Sequence, residues 1–202
     1  MALRFKSVMP LVLMVSLLAG ADRTTFQSKP VDRYPHRQTS EKVTIAAQPF
    51  LTDEETKEPF GKLNPWRYGV LPVLVVVQND GKDTLRLDKM KVSYVLPDNT
   101  RIEATPASDV KYARGAKPPK NLPSPSIPGL HIGQGGKNPL AAWEIEGRAF
   151  AAKVLPPGQS ASGFFYFQTP DTSAAASIYI DGLTNAVSGS QLYYFEIPLS
   201  GK

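Results

Sequence analysis

The chain has 202 residues with 23 basic and 18 acidic side chains, a formal net charge of +5 and no cysteine. The absence of thiols excludes disulfides, thiolate catalysis, cysteine-based zinc sites and lipid attachment through a cysteine sulfur. The mild positive excess gives no argument for nucleic acid, and 19 prolines with 15 glycines favour a turn-rich, strand-rich chain over a helical one.

Arg4 and Lys6 open the chain ahead of an almost unbroken apolar run from Val8 to Ala19. That run is about a dozen residues, whereas a bilayer-spanning helix needs roughly 20. A short apolar run behind a positive start suits a secretory signal peptide. Leu18-Ala19-Gly20 is followed by Ala21 where a lipoprotein signal carries its cysteine, and Ala19-Gly20-Ala21 offers small residues at the positions a signal peptidase reads. The expectation is a signal peptide over residues 1–21, cleavage after Ala21, and an exported protein, periplasmic or secreted, with no transmembrane span thereafter. Residues 22–41 are polar and basic without an apolar period, and read as a flexible leader.

A domain is expected over residues 42–202. KVTIAAQPF (42–50) is the first strand, and LTDEETKEPFGKLNPW reads as a polar connection. RYGVLPVLVVVQN (67–79) is the strongest strand signal, apolar on both faces as a central strand would be. Pro72 lacks an amide donor and is expected at an edge, a bulge or the strand's start. Asn79-Asp80-Gly81-Lys82 has the chemistry of a hairpin turn. TLRLDKMKVSYVLPDNTRIEA (84–104) holds further strands, with a turn at Asp98-Asn99. Residues 105–139 then break the pattern with a long Pro/Gly/Lys insertion, and segments of this length inside a compact domain are functional or disordered. LAAWEIEGRAF (140–150) reads as a short helix or the lead into a strand. AKVLPPGQSASGFFYFQTP, ASIYIDGL and LYYFEIPLSG supply the remaining strands. The sum is an all-β antiparallel sandwich of about seven to nine strands carrying one long insertion.

The order KVTIAAQPF, then VLPVLVVVQNDGKDTLRL, then VLPPGQSASGFFYFQTP, then IYIDGL or YYFEIPL resembles bacterial exported immunoglobulin-like domains of the telokin-like type. The resemblance spans roughly residues 42–200 apart from 105–148. It implies an immunoglobulin-like sandwich acting as an envelope or secreted interaction module, and it brings no catalytic residue with it.

Few residues carry chemistry in the sequence. GLHIGQGGKNP lacks the glycine and hydroxyl spacing of a phosphate loop. His36 and His131 stand alone, without the neighbours a zinc site needs. No serine lies in a G-x-S-x-G elbow. Glu144 with Glu146, or Asp53-Glu54-Glu55, could serve a glycosidase-like or calcium site, but solvated loop acids are the simpler reading. The aromatic runs FFYF (164–167) and YYF (193–195), with Trp66, Tyr68 and Trp143, could stack on sugars. Alternation puts Phe165 and Phe167 on one face and Phe164 and Tyr166 on the other, so at least half of FFYF packs inside. No cofactor and no metal are expected, and the chain is read as a non-enzyme. The candidate contact residues are the cations of the insertion, Lys111, Arg114, Lys117, Lys120 and Lys137, set against Asp109 alone. The expected partner is an envelope protein or an anionic surface polymer. The alternatives are a structural component of a larger cell-surface complex or, less favoured, an envelope hydrolase.

Overall fold

The computed structural model describes residues 26–113, 138–169 and 175–199. The expected export segment lies outside these residues, as does most of the insertion. The fold grows from β3 (Val70–Asn79), which pairs antiparallel with β2 (Val43–Pro49) on one side and β8 (Ser160–Gln168) on the other. β1 (Arg37–Ser40) extends this sheet beyond β2, giving the order β1-β2-β3-β8. A second antiparallel sheet runs β11 (Phe195–Pro198), β9 (Ser177–Asp181), β5 (Lys91–Val95), β6 (Arg101–Glu103). Three two-residue strands, β4 (Leu85–Arg86), β7 (Val154–Leu155) and β10 (Thr184–Asn185), form a small third sheet in the order β10-β4-β7. The fold is mostly β. The described residues hold eleven strands against the seven to nine expected, because β1 falls in the supposed leader and the third sheet is built of fragments too short to leave a period in the sequence.

The β3 run is apolar throughout because both of its faces are covered. Val73, Val75 and Val77 meet Tyr94, Ile178, Ile180 and Phe195 of the second sheet in one buried cluster. Leu74 and Val76, with Phe164 and Tyr166 of β8, lie in a second cluster on the opposite face. That face is roofed by α1 (Asp53–Phe60) through Phe60 and by α2 (Trp143–Gly147) through Ile145. The 3-10 turn Ala107–Tyr112 adds Val110, and the 3-10 turn Pro139–Ala141 adds Leu140. Each such aliphatic side chain, fully buried, contributes about 1.5–3 kcal/mol before conformational entropy is set against it.

Three sequence expectations change here. The stretch read as a polar connection contains α1, started by a capping box. The Thr52 hydroxyl accepts from the Glu55 amide at 3.2 Å, and the Glu55 carboxylate accepts from the Thr52 amide at 2.9 Å. The residues read as a flexible leader are part of the fold from Phe26 onward. Tyr34 is buried, Phe26 packs on Phe50 and Phe164, and β1 pairs with β2 through a tight turn at Glu41-Lys42. Both turn residues have positive φ, 48° and 61°, without the Asn-Gly that marks such turns in a sequence. The Asn79–Lys82 turn is not a hairpin, because β3 and β4 belong to different sheets. Asn79 is instead a fully buried hub. Its side-chain amide nitrogen donates to the carbonyls of Asp83 (2.9 Å) and Leu155 (3.0 Å), and its side-chain oxygen accepts from the Gly81 amide (3.0 Å).

Pro72 sits third in β3, where β2 has just ended. Its carbonyl accepts from the Phe50 amide at 3.0 Å, so its missing N–H falls toward the departing end of β2 and no ladder bond to β8 is lost.

Candidate functional site: the insertion roots and the open seam

The two ends of the 105–139 insertion are held on the helical roof. Ala107–Tyr112 buries Val110 completely, and Pro139–Ala141 buries Leu140. Asn138 ties the ends together: its side-chain amide donates to the Lys111 carbonyl, while its side-chain oxygen accepts from the Leu140 amide at 3.0 Å. Of the five predicted contact cations, Lys111 is at this root, with its ammonium 5.5 Å from the centre of the Tyr112 ring. Arg114, Lys117, Lys120 and Lys137 lie outside the described residues, as does His131.

Two of the carboxylates named from sequence, Glu55 and Asp53, serve the fold. Glu55 caps α1. Asp53 accepts from Asn64 at 2.8 Å and pairs with Arg67. Burial alone would raise the Glu55 carboxyl, but the Thr52 amide, the Leu51 amide and the Thr52 hydroxyl outweigh it and hold the group below its usual value. Glu144 and Glu146 are two apart on α2 and therefore diverge. Among the described residues no group of three or more His, Asp or Glu side chains could hold a metal ion.

The FFYF run is not a platform. Phe164, Tyr166 and Phe167 are buried, and Phe165 is half-buried. Tyr166 donates its hydroxyl to the Ile145 carbonyl at 2.7 Å, and burial pushes the phenol far above its usual range. The exposed aromatics of the YYF run are Tyr193 and Tyr194. Tyr194 stacks on Tyr179 (5.2 Å between centres, 23° between planes), and Arg101 lies 4.0 Å from the centre of the Tyr179 ring.

Sequence reasoning did not find the concavity between the two large sheets. The two large sheets meet along two seams. At the β1/β11 seam the Gln38 side chain accepts from the Glu196 amide at 2.7 Å and Glu41 accepts from the Tyr193 amide at 3.3 Å. At the β8/β6 seam the chain leaving α2 rounds the β8 edge. Phe150 donates to Phe164 (3.1 Å), and the Phe164 amide donates back to Arg148 (2.8 Å). Only a glycine permits this crossing, since a Cβ on Gly163 would lie 2.3 Å from the Phe150 Cα. The crossing leaves the seam open as a slot of about 310 Å³ between β5, β6 and β8, continuing past Phe150 into a second hollow of about 370 Å³. Met90, Phe150 and Phe165 line both, with Phe150 stacked on Phe165 at 5.5 Å. Gly163 within the L-x-P-G-x-x-x-x-G pattern was the available signal. The slot itself joins residues some 60 to 75 positions apart and leaves no local trace.

Among the described residues, no helix is long and apolar enough to cross a membrane. No family model matches the chain, and no curated protein matches it. Three solved structures show distant similarity. A candidate lipoprotein, ycdA, from Bacillus subtilis subsp. subtilis strain 168 has 13% identity and a TM-score of 0.39, covering 82% of this chain and 39% of its own. A functionally unknown protein from Listeria monocytogenes EGD-e has 13% identity and a TM-score of 0.34, covering 80% and 79%. The Northeast Structural Genomics Consortium target SoR45 has 10% identity and a TM-score of 0.29, covering 81% and 75%. The chain thus spans well under half of the first of these.

Proposed function

We propose that this is an exported, non-catalytic binding module of immunoglobulin-like type that contacts an envelope protein or an anionic surface polymer through its 105–139 insertion. The observation that carries the reading is the anchoring of the insertion's two ends, side by side, on a buried layer: Val110 and Leu140 are in the core, and Asn138 grips the Lys111 backbone. Loops held at fixed points on a rigid scaffold are where recognition concentrates, because the scaffold absorbs the entropy that positioning costs. The insertion's five cations against one acid make anionic material the favoured contact. Arg114, Lys117 and Lys120 follow the fixed root at Lys111 in sequence and supply the attraction with it, while Lys137 adds charge from the returning end.

The test is capture from envelope extract of the producing cell by the parent and by a variant lacking residues 114–137. The parent should retain its partner at low salt and lose it as salt rises, since exposed charges act over about 8–10 Å at physiological ionic strength. A folded deletion variant that captures the same partner equally well at low and high salt rules the insertion out as the contact.

A further inference from the structure

The open β8/β6 seam has a second property that the insertion does not share. In the β5/β6 ladder, Ala104 donates to the Val92 carbonyl (3.1 Å) and Leu96 donates to the Thr100 carbonyl (2.9 Å). Residues 100, 102 and 104 therefore face β5, and Arg101 and Glu103 turn their backbone N–H and C=O the other way, toward β8. Thr105, next on that side, donates to the Tyr166 carbonyl at 2.7 Å. Several other outward positions are engaged or blunted: Phe164 and Tyr166 on β8 by the crossings, Glu196 on β11 by Gln38, and Pro198 by having no amide. Beside the β6 edge lies the apolar slot of Met90, Phe150 and Phe165, which Glu103 also lines. Beside the second hollow, Asp88 is neutralised by Arg86 at 2.8 Å and Lys153 makes no ion pair with another described residue, while at the slot Glu103 is the lining carboxylate and Lys91 stands opposite Asp181 of β9.

We propose that this edge and slot together form a docking site for an extended peptide segment of a partner protein, carrying a bulky apolar residue next to an acidic one. The peptide adds a short strand to β6 through the backbone of Arg101 and Glu103. Its apolar side chain enters the slot against Phe150 and Phe165, and its acid meets Lys153. Backbone groups aimed into the seam favour a peptide over an acyl chain, which has nothing to offer them.

The probe is the blocked peptide Ser-Asp-Val-Phe-Val-Asp-Ser, titrated into the full chain and read by fluorescence anisotropy and by backbone amide NMR. Shifts should fall on residues 90–93, 101–106, 149–151 and 165, with slowed hydrogen exchange at the Arg101 and Glu103 amides. Replacing the peptide Phe with Ser should weaken binding by about tenfold or more. N-methylation at alternate peptide residues should weaken binding by roughly three- to tenfold in one alternation and leave it unchanged in the other, the signature of a one-sided strand pairing. Glu103→Pro, which removes an N–H that the β5 ladder does not use, should also weaken binding. If that variant fails to fold, the methylated peptides still decide. Equal effects of both alternations, or shifts centred elsewhere, overturn the proposal. Binding seen only after removal of residues 114–137 would give the slot to this chain's own segment and overturn the partner assignment, as would binding of a laurate probe without the peptide. Peptide binding that persists in the deletion variant separates this site from the insertion.

Discussion

Gly163 shows how one residue without a side chain decides a surface. The Phe150 backbone crosses it so closely that any Cβ must displace the crossing chain, and that chain is backbone rather than a flexible side-chain tip. Gly163→Ala should cost about 1–3 kcal/mol in a urea melt and should disturb the amides of 148–151 before those of β3. A neutral result would mean the crossing can shift freely. Val75 makes the opposite case. It is fully buried between β2 and β8, so Val75→Asp places an unpaired carboxylate in a dry core. That substitution should abolish the folded state, because an isolated charge there has no partner to offset its desolvation. Thermal unfolding within a few degrees of the parent would contradict the central place of β3.

At the scale of elements, α1 depends on its first turn. Its eight residues include Pro59 and are too few to be stable alone, so the Thr52/Glu55 box and the burial of Phe60 hold it. Thr52→Ala should cost about 1 kcal/mol by denaturant titration. Glu55 gives the helix a pH dependence whose sign follows from its lowered folded value. Its contribution is full above the usual carboxylate range and is lost as pH falls through the lowered value, when the protonated carboxyl no longer accepts the Thr52 and Leu51 amides. Far-UV and near-UV signals followed from neutral to acid pH should therefore show a step in the parent that shrinks in Thr52→Ala. The sequence already held the T-x-x-E signal at 52–55, but strand expectations on either side turned it into a connection. β1 had no comparable signal. Its Glu41-Lys42 turn uses residues that disfavour positive φ, and pairing with β2 compensates.

The whole molecule is three layers deep: the second sheet, the β1-β2-β3-β8 sheet, and a roof of short helical segments. The insertion's ends pack in the roof through Val110 and Leu140, after Thr105 has paired with the β8 edge. Removal of the insertion should respect that boundary. Deleting 114–137 and joining Ala113 to Asn138 through a short Gly/Ser linker keeps Val110, Leu140 and the Asn138–Lys111 contact. Melting within a few degrees of the parent is expected, since loop length costs little once its ends are fixed. Deleting all of 105–139 should be far more damaging, because it also removes Val110 and the Thr105 pairing with Tyr166. If the two deletions melted alike, the roof would contribute no more than the loop it carries.

The β-rich class and the burial of both β3 faces were legible in residue order, because an apolar run flanked by turn residues has few other ways to hide from water. Of the insertion's cations that the sequence singles out, only Lys111 falls within the described residues. Three features needed the folded chain: the ordering of 26–41, the roof, and the open seam. Phe26 looks like part of a polar leader until Phe50 and Phe164 are brought beside it. Val110 looks like loop until the first sheet offers it an apolar face. Phe150, Phe165 and Met90 meet only because the chain crosses Gly163 between two sheets. Local pattern reports what a residue's immediate neighbours impose, within a turn or two, whereas a cavity and a covering layer are made by segments far apart in the chain and exist only once both sides have packed.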